Sequence, residues 1–142
     1  MRGATLAAVL LAAALAGCAG PSAAVAPASA DADRRCDEAW RRVESLLSAG
    51  LETYLDGMRR FSLASDPARS TAEAEARAHE RARAWSAVHA PGFAAGCPEW
   101  TPDLVACVLA AEDPPGLVAC GLEPLVRSFT DEVVGAYLAP ER

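Results

Sequence analysis

An all-α fold is predicted for this chain: a small disulfide-clamped bundle of four to five helices with a long N-terminal helical hairpin. Three observations carry the prediction. Apolar residues recur every three or four positions over long stretches. Cys36, Cys97, Cys107 and Cys120 fall where helical hairpins bring them together in pairs. No run alternates apolar and polar residues with the period of two that a half-buried strand needs.

The chain opens with Met1-Arg2, a weakly positive start, followed by the uncharged apolar run Leu6 to Ala16. A run of that length suits a secretory h-region and is too short to span a bilayer as a permanent helix. Leu15-Ala16-Gly17-Cys18 closes it, a Leu three places before a Cys with two small residues between. This tetrad resembles the lipobox of bacterial lipoproteins. The resemblance implies that the Cys18 thiol receives a diacylglycerol, that cleavage falls between Gly17 and Cys18, and that the new amine is then acylated. Residues 1–17 are accordingly expected to be a signal peptide, 18–32 the lipidated Cys and a flexible tether, and 33–142 the helical domain. Two or three acyl chains hold far better than one, since each buried methylene adds about 0.8 kcal/mol. The expected protein is exported and held on a membrane without spanning it. Ala19, next after the lipidated residue, is not Asp; by likeness to the usual sorting rule this favours the outer membrane, facing the periplasm, in a Gram-negative cell.

Removing 17 residues from 142 leaves 125, room for one small domain and a tether. Without Arg2 the mature chain has 12 Arg against 19 acidic residues, a net charge of −7 that argues against nucleic acid as a partner. The expected partners are the membrane, through the lipid, and an envelope protein. Lys, Asn, Gln and Ile are all missing and Ala is abundant, a bias of GC-rich coding that weakens any argument from Ala periodicity. Without Lys, Schiff-base chemistry is excluded. With Cys18 assigned to the anchor, four cysteines remain in an exported protein and read as two disulfides. No Cys-x-x-Cys occurs and the spacings match no common zinc motif, so no metal or other cofactor is expected.

Ala19 to Ala32 is small, proline-bearing and free of aromatics, the composition of a tether. Cys36, Trp40, Val43, Leu47, Gly50, Tyr54, Met58 and Phe61 then form one helical stripe, widened by Leu46, Leu51 and Leu55. Gly50 and Gly57 each weaken a helix by about 1 kcal/mol relative to Ala, so a bend or break is expected near Gly50. Asp66-Pro67 ends the element.

Ser70-Thr71-Ala72-Glu73 has the form of a capping box and starts a second helix. Its narrow stripe runs through Ala74, Ala78, Ala82, Trp85 and Val88 until Pro91-Gly92 kinks or ends it. Glu73, Glu75, Arg77, Glu80, Arg81 and Arg83 make a solvated face of helical ion pairs. A turn centred near Asp66-Pro67 puts position 36 opposite position 97, and the turn signal Asp113-Pro114-Pro115-Gly116 lies midway between Cys107 and Cys120. Both hairpins select the pairing Cys36 with Cys97 and Cys107 with Cys120 out of the three possible.

Thr101-Pro102-Asp103 opens a third helix, with Thr as N-cap, Pro at the first helical position and an acid near the positive end of the dipole. Trp100 precedes the cap and is placed to staple onto Val105. Leu104, Val105, Val108 and Leu109 give the helix an apolar side, and Leu117 to Cys120 close over it as a helical turn or two. After Gly121, Pro124 begins a last helix in which Leu122, Leu125, Val126, Phe129, Val133, Ala136 and Tyr137 recur at helical spacing.

Trp100-Thr101-Pro102 followed by Cys107 and Cys120 is similar to the small four-cysteine helical lipoproteins of myxobacteria and related high-GC bacteria, over the 85 residues from Cys36 to Cys120. The likeness implies a periplasmic helical fold and no assigned reaction. The double proline at 114 and 115 and the helix after Cys120 depart from that pattern.

The histidines offer the one candidate chemistry. His79 and His89 stand ten positions apart, turned by about 80° on a helix, and so are not the i, i+4 pair that zinc helices use. Glu75, four before His79, makes a two-ligand pair on an exposed face, a poor metal site. Surface or helix-end histidines are the expectation; the rival is an envelope enzyme or metal-binding protein using His79, His89 and neighbouring carboxylates. Asp37-Glu38 and Asp131-Glu132 occupy adjacent helical positions and point apart, and no Gly-x-Ser-x-Gly or phosphate loop is present. No catalytic residues are assigned. Trp40, Trp85 and Trp100 sit at stripe positions and read as core.

Overall fold

Thirty-eight residues, Ala28–Ser65, form a single helix, α1, about 57 Å long. The computed structural model describes residues 28–65 and 71–139. Leu15 to Cys18, the tether up to Pro27 and the capping Ser70 lie outside that description. α1 begins inside the stretch expected to be tether. Ala28, Ala30 and Ala32 are strong helix formers, Asp31 lies in the first turn where the dipole favours an acid, and Arg34 pairs with Asp31 at 3.0 Å one turn on. Nor is α1 broken at Gly50, through which it continues. Gly50 faces Pro114, whose ring Cγ would lie only 2.9 Å from an added Cβ. The glycine is there for a close approach of another segment.

α2 (Thr71–Gly96) returns antiparallel to α1. The seam is marked by contacts from end to end: the Cys36–Cys97 disulfide, Trp40 on Phe93 at 5.0 Å, and Arg59 on Glu75 at 2.7 Å. Pro91 does not end this helix but lies within it. What carries the chain past it is buried on the far side: Phe93 is enclosed, and Cys97 is 1% exposed and tied to α1. The inner stripe also differs. Val88 is 72% exposed, and the inner line passes from buried Trp85 through half-buried His89 to buried Phe93. Positions three and four beyond Trp85 both fit a 3.6-residue period, and stacking of His89 on Trp85 selects the second.

A 3₁₀ turn (Cys97–Glu99) leads to α3 (Pro102–Ala110), whose first turn is closed by the Thr101 hydroxyl accepting from the Leu104 amide at 3.3 Å. Trp100 packs edge-on against Phe93 at 4.8 Å. Arg42 of α1 donates from Nε to the Ala111 carbonyl at 2.9 Å, satisfying an acceptor at the α3 C-terminus. The turn expected at 113–116 is in fact a helix start. Asp113 accepts from the Gly116 amide at 2.7 Å, and Pro114, which has no amide hydrogen to lose, opens α4 (Pro114–Leu117). A wider turn, Val118–Leu122, contains Gly121, whose φ of 91° is left-handed backbone that favours glycine. α5 (Glu123–Phe129), a π turn (Thr130–Val134) and α6 (Gly135–Leu138) follow as one rod packed on α2.

The result is an all-α bundle, with no strand among the described residues. Both expected disulfides are in place: Cys36–Cys97 and Cys107–Cys120, each with Cα atoms 5.8 Å apart. Leu55, Leu117, Val43, Val108 and Val133 are fully enclosed at the centre. Each such side chain contributes about 1.5–3 kcal/mol relative to exposure. Among the described residues no helix is long and apolar enough to cross a membrane.

Candidate functional site: a charged slot between the two long helices

The seam between α1 and α2 is not filled along its whole length. Midway, the facing residues Ser45 and Ser48 on α1 and Ala82 and Ser86 on α2 are too small to meet, and a slot of about 530 Å³ opens there. Its floor is apolar, made by Leu47, Leu51, Trp85 and Phe129, all buried. Its walls carry opposite charge. α1 supplies the carboxylates of Glu44 and Glu52, and α2 the guanidinium of Arg83 beside the imidazole of His79.

Two polar bridges close the ends. The Ser86 hydroxyl donates to Glu44, and His79 Nε2 lies 3.4 Å from a Glu52 carboxylate oxygen. Eight residues of helix separate Glu44 from Glu52, so the slot is about 12 Å long. Between the bridges stands Arg83, exposed and without an ion pair among the described residues. The slot is half open to solvent, with an apolar floor and polar groups on its rim, and its volume lies in the range of small-ligand sites.

The sequence-predicted candidates fall in different places. His79 is in the slot but faces Glu52 across the seam and does not share Glu75. Arg59 takes Glu75 in a two-pronged contact, 2.7 and 2.8 Å, and this hydrogen-bonded guanidinium holds the Glu75 carboxyl below the usual range. Nor is the polar face of α2 a set of solvated intrahelical pairs. Arg81 reaches Glu132, and Arg77 donates to the Ala136 and Ala139 carbonyls at 3.4 and 3.3 Å, capping the end of α6. Local spacing could not reveal these partners because each lies on another element.

His89 is half-buried and lies within α2 rather than at its end. Its ring stacks on Trp85 with centroids 4.3 Å apart, Nδ1 donates to the Trp85 carbonyl at 2.9 Å, and Nε2 faces the Ser128 hydroxyl at 3.4 Å. Trp85 Nε1 donates to the same hydroxyl at 3.0 Å. The group ties α2 to α5 below the slot, and sequence reasoning missed Ser128 entirely, since nothing local marks it. His79 and His89 are about 15 Å apart along α2 and do not converge. Among the described residues no three His, Cys, Asp or Glu side chains gather as a metal site would require.

Of the three tryptophans only Trp85 is buried in the core; Trp40 and Trp100 are half-buried and pack against it. Trp85 is 2% exposed, with Trp40 stacked at 6.0 Å and Phe129 edge-on at 5.1 Å. Tyr54 and Tyr137 meet edge to face at 5.7 Å; burial, then the neighbouring phenol, pushes the Tyr54 hydroxyl up from its ordinary value. Set beside known protein families, curated proteins and solved structures, the chain matches none.

Proposed function

We propose that this protein is a lipid-anchored module of the bacterial envelope that works by binding or by holding a partner, and that it is not an enzyme. The observation that carries the reading is the distribution of its cysteines. Four of the five pair with one another, which leaves the lipobox residue Cys18 as the one cysteine those two bonds do not use. Structural disulfides belong to oxidising compartments, in keeping with export. A thiol alone at the end of an apolar leader has a ready role as an acyl acceptor.

α1 starts eight residues, about 12 Å, before the Cys36–Cys97 bond, so an anchor at Cys18 would attach at that end of the bundle. The nine residues between Cys18 and Ala28 allow a separation of at most about 35 Å. Binding is supported by the α1–α2 slot, which sets an apolar floor beside the unpaired Arg83 guanidinium.

Growth of a producing cell with an alkyne-tagged fatty acid tests the anchor. The wild-type chain is expected to carry the tag and Cys18→Ser to lose it; equal labelling of both would remove the anchor.

A further inference from the structure

We propose that the slot binds a short zwitterionic peptide of dipeptide size with apolar side chains. This deepens the binding role and rests on it. Charge is divided by wall: carboxylates on α1, the Arg83 guanidinium on α2, across an apolar floor. A pure cation would meet Arg83, and a pure anion would meet Glu44 and Glu52. A molecule carrying both signs satisfies both walls at once.

The spacing selects its size. Arg83 lies opposite Ser48 in the hairpin register, one helical turn, or about 6 Å, from Glu52 along the slot. An extended dipeptide reaches about 7 Å from end to end. Glu52 is the better of the two acids for an ammonium group. Its contact to His79 is long at 3.4 Å and its side chain is 56% exposed, whereas Glu44 is engaged by Ser86. The terminal carboxylate then meets the Arg83 guanidinium, and the side chains lie on Leu47, Leu51, Trp85 and Phe129.

The test is a titration of Leu-Leu into the full chain in mild detergent, followed by amide and indole chemical shifts. Saturable shifts confined to the slot are expected. N-acetyl-Leu-Leu and Leu-Leu amide should each bind at least tenfold more weakly. Arg83→Ala should weaken Leu-Leu tenfold and leave Leu-Leu amide little changed, and Glu52→Gln should do the converse with the N-acetyl peptide as reference. Both side chains are exposed, so folding is not at stake. The proposal is overturned if Leu-Leu gives no saturable shift, if the doubly capped peptide binds as well, or if neither substitution matters. Cys18 labelling separates the two claims: a failed titration with the tag intact removes the ligand alone, and a lost tag with the titration intact removes the anchor alone.

Discussion

Gly50 and Gly57 both lie inside α1, and replacing each by Ala separates helix propensity from packing. Propensity favours Ala by about 1 kcal/mol at either site. At Gly57 an added Cβ meets nothing within 4 Å, so Gly57→Ala is expected to stabilise by close to that amount. At Gly50 the same atom would stand 2.9 Å from Pro114 Cγ and 3.9 Å from Cδ. That ring cannot swing aside: it opens α4, beside the Asp113 cap and the segment tied down by Cys107–Cys120. Relieving the overlap means moving α1 off α4, an overpacking cost of about 1–3 kcal/mol. Gly50→Ala is therefore expected to range from neutral to about 2 kcal/mol destabilising, and the two variants to differ by about 1–3 kcal/mol. Denaturant titration with the disulfides intact measures this, and thermal unfolding should separate the variants by at least about 4 °C. Pro114→Ala in the Gly50→Ala background removes the clashing ring and should recover part of the loss, a coupling that a double-mutant cycle isolates. If Gly50→Ala stabilises as much as Gly57→Ala, the close-approach argument is wrong.

Two further predictions concern the disulfides and acid stability. Cys36 and Cys97 are buried whereas Cys107 is exposed and Cys120 half-buried, so mild dithiothreitol under native conditions is expected to open Cys107–Cys120 first. Alkylation and mass spectrometry read the order, and simultaneous opening of both would contradict it. Because Arg59 lowers the Glu75 carboxyl, that contact stabilises the fold fully above the ordinary carboxylate range and is lost as pH falls through the lowered value. Glu75→Gln should thus be less stable than wild type near neutrality and decline less steeply below about pH 4 in melts across a pH series; parallel curves would show that the pair contributes nothing.

The sequence by itself determined what depends on near neighbours. The helical stripes, the Thr101 cap with Pro102 behind it, and the chain reversals between the long helices all follow from residues a few positions apart. The cysteine pairing followed too, since a hairpin converts distance from the turn into proximity across it. The tertiary structure decided whatever required two distant segments to meet. It turned Gly50 from an expected weak point into a contact for Pro114, carried α2 past Pro91 because Phe93 and Cys97 had apolar cover to reach, and chose His89 over Val88 for the inner face. Propensity terms of about 1 kcal/mol are overruled by burial and by a covalent bond, each worth more. The slot belongs to the same class. Ser45, Ser48, Ala82 and Ser86 are unremarked small residues in either helix alone, and only the antiparallel register sets them face to face and leaves the space between two oppositely charged walls.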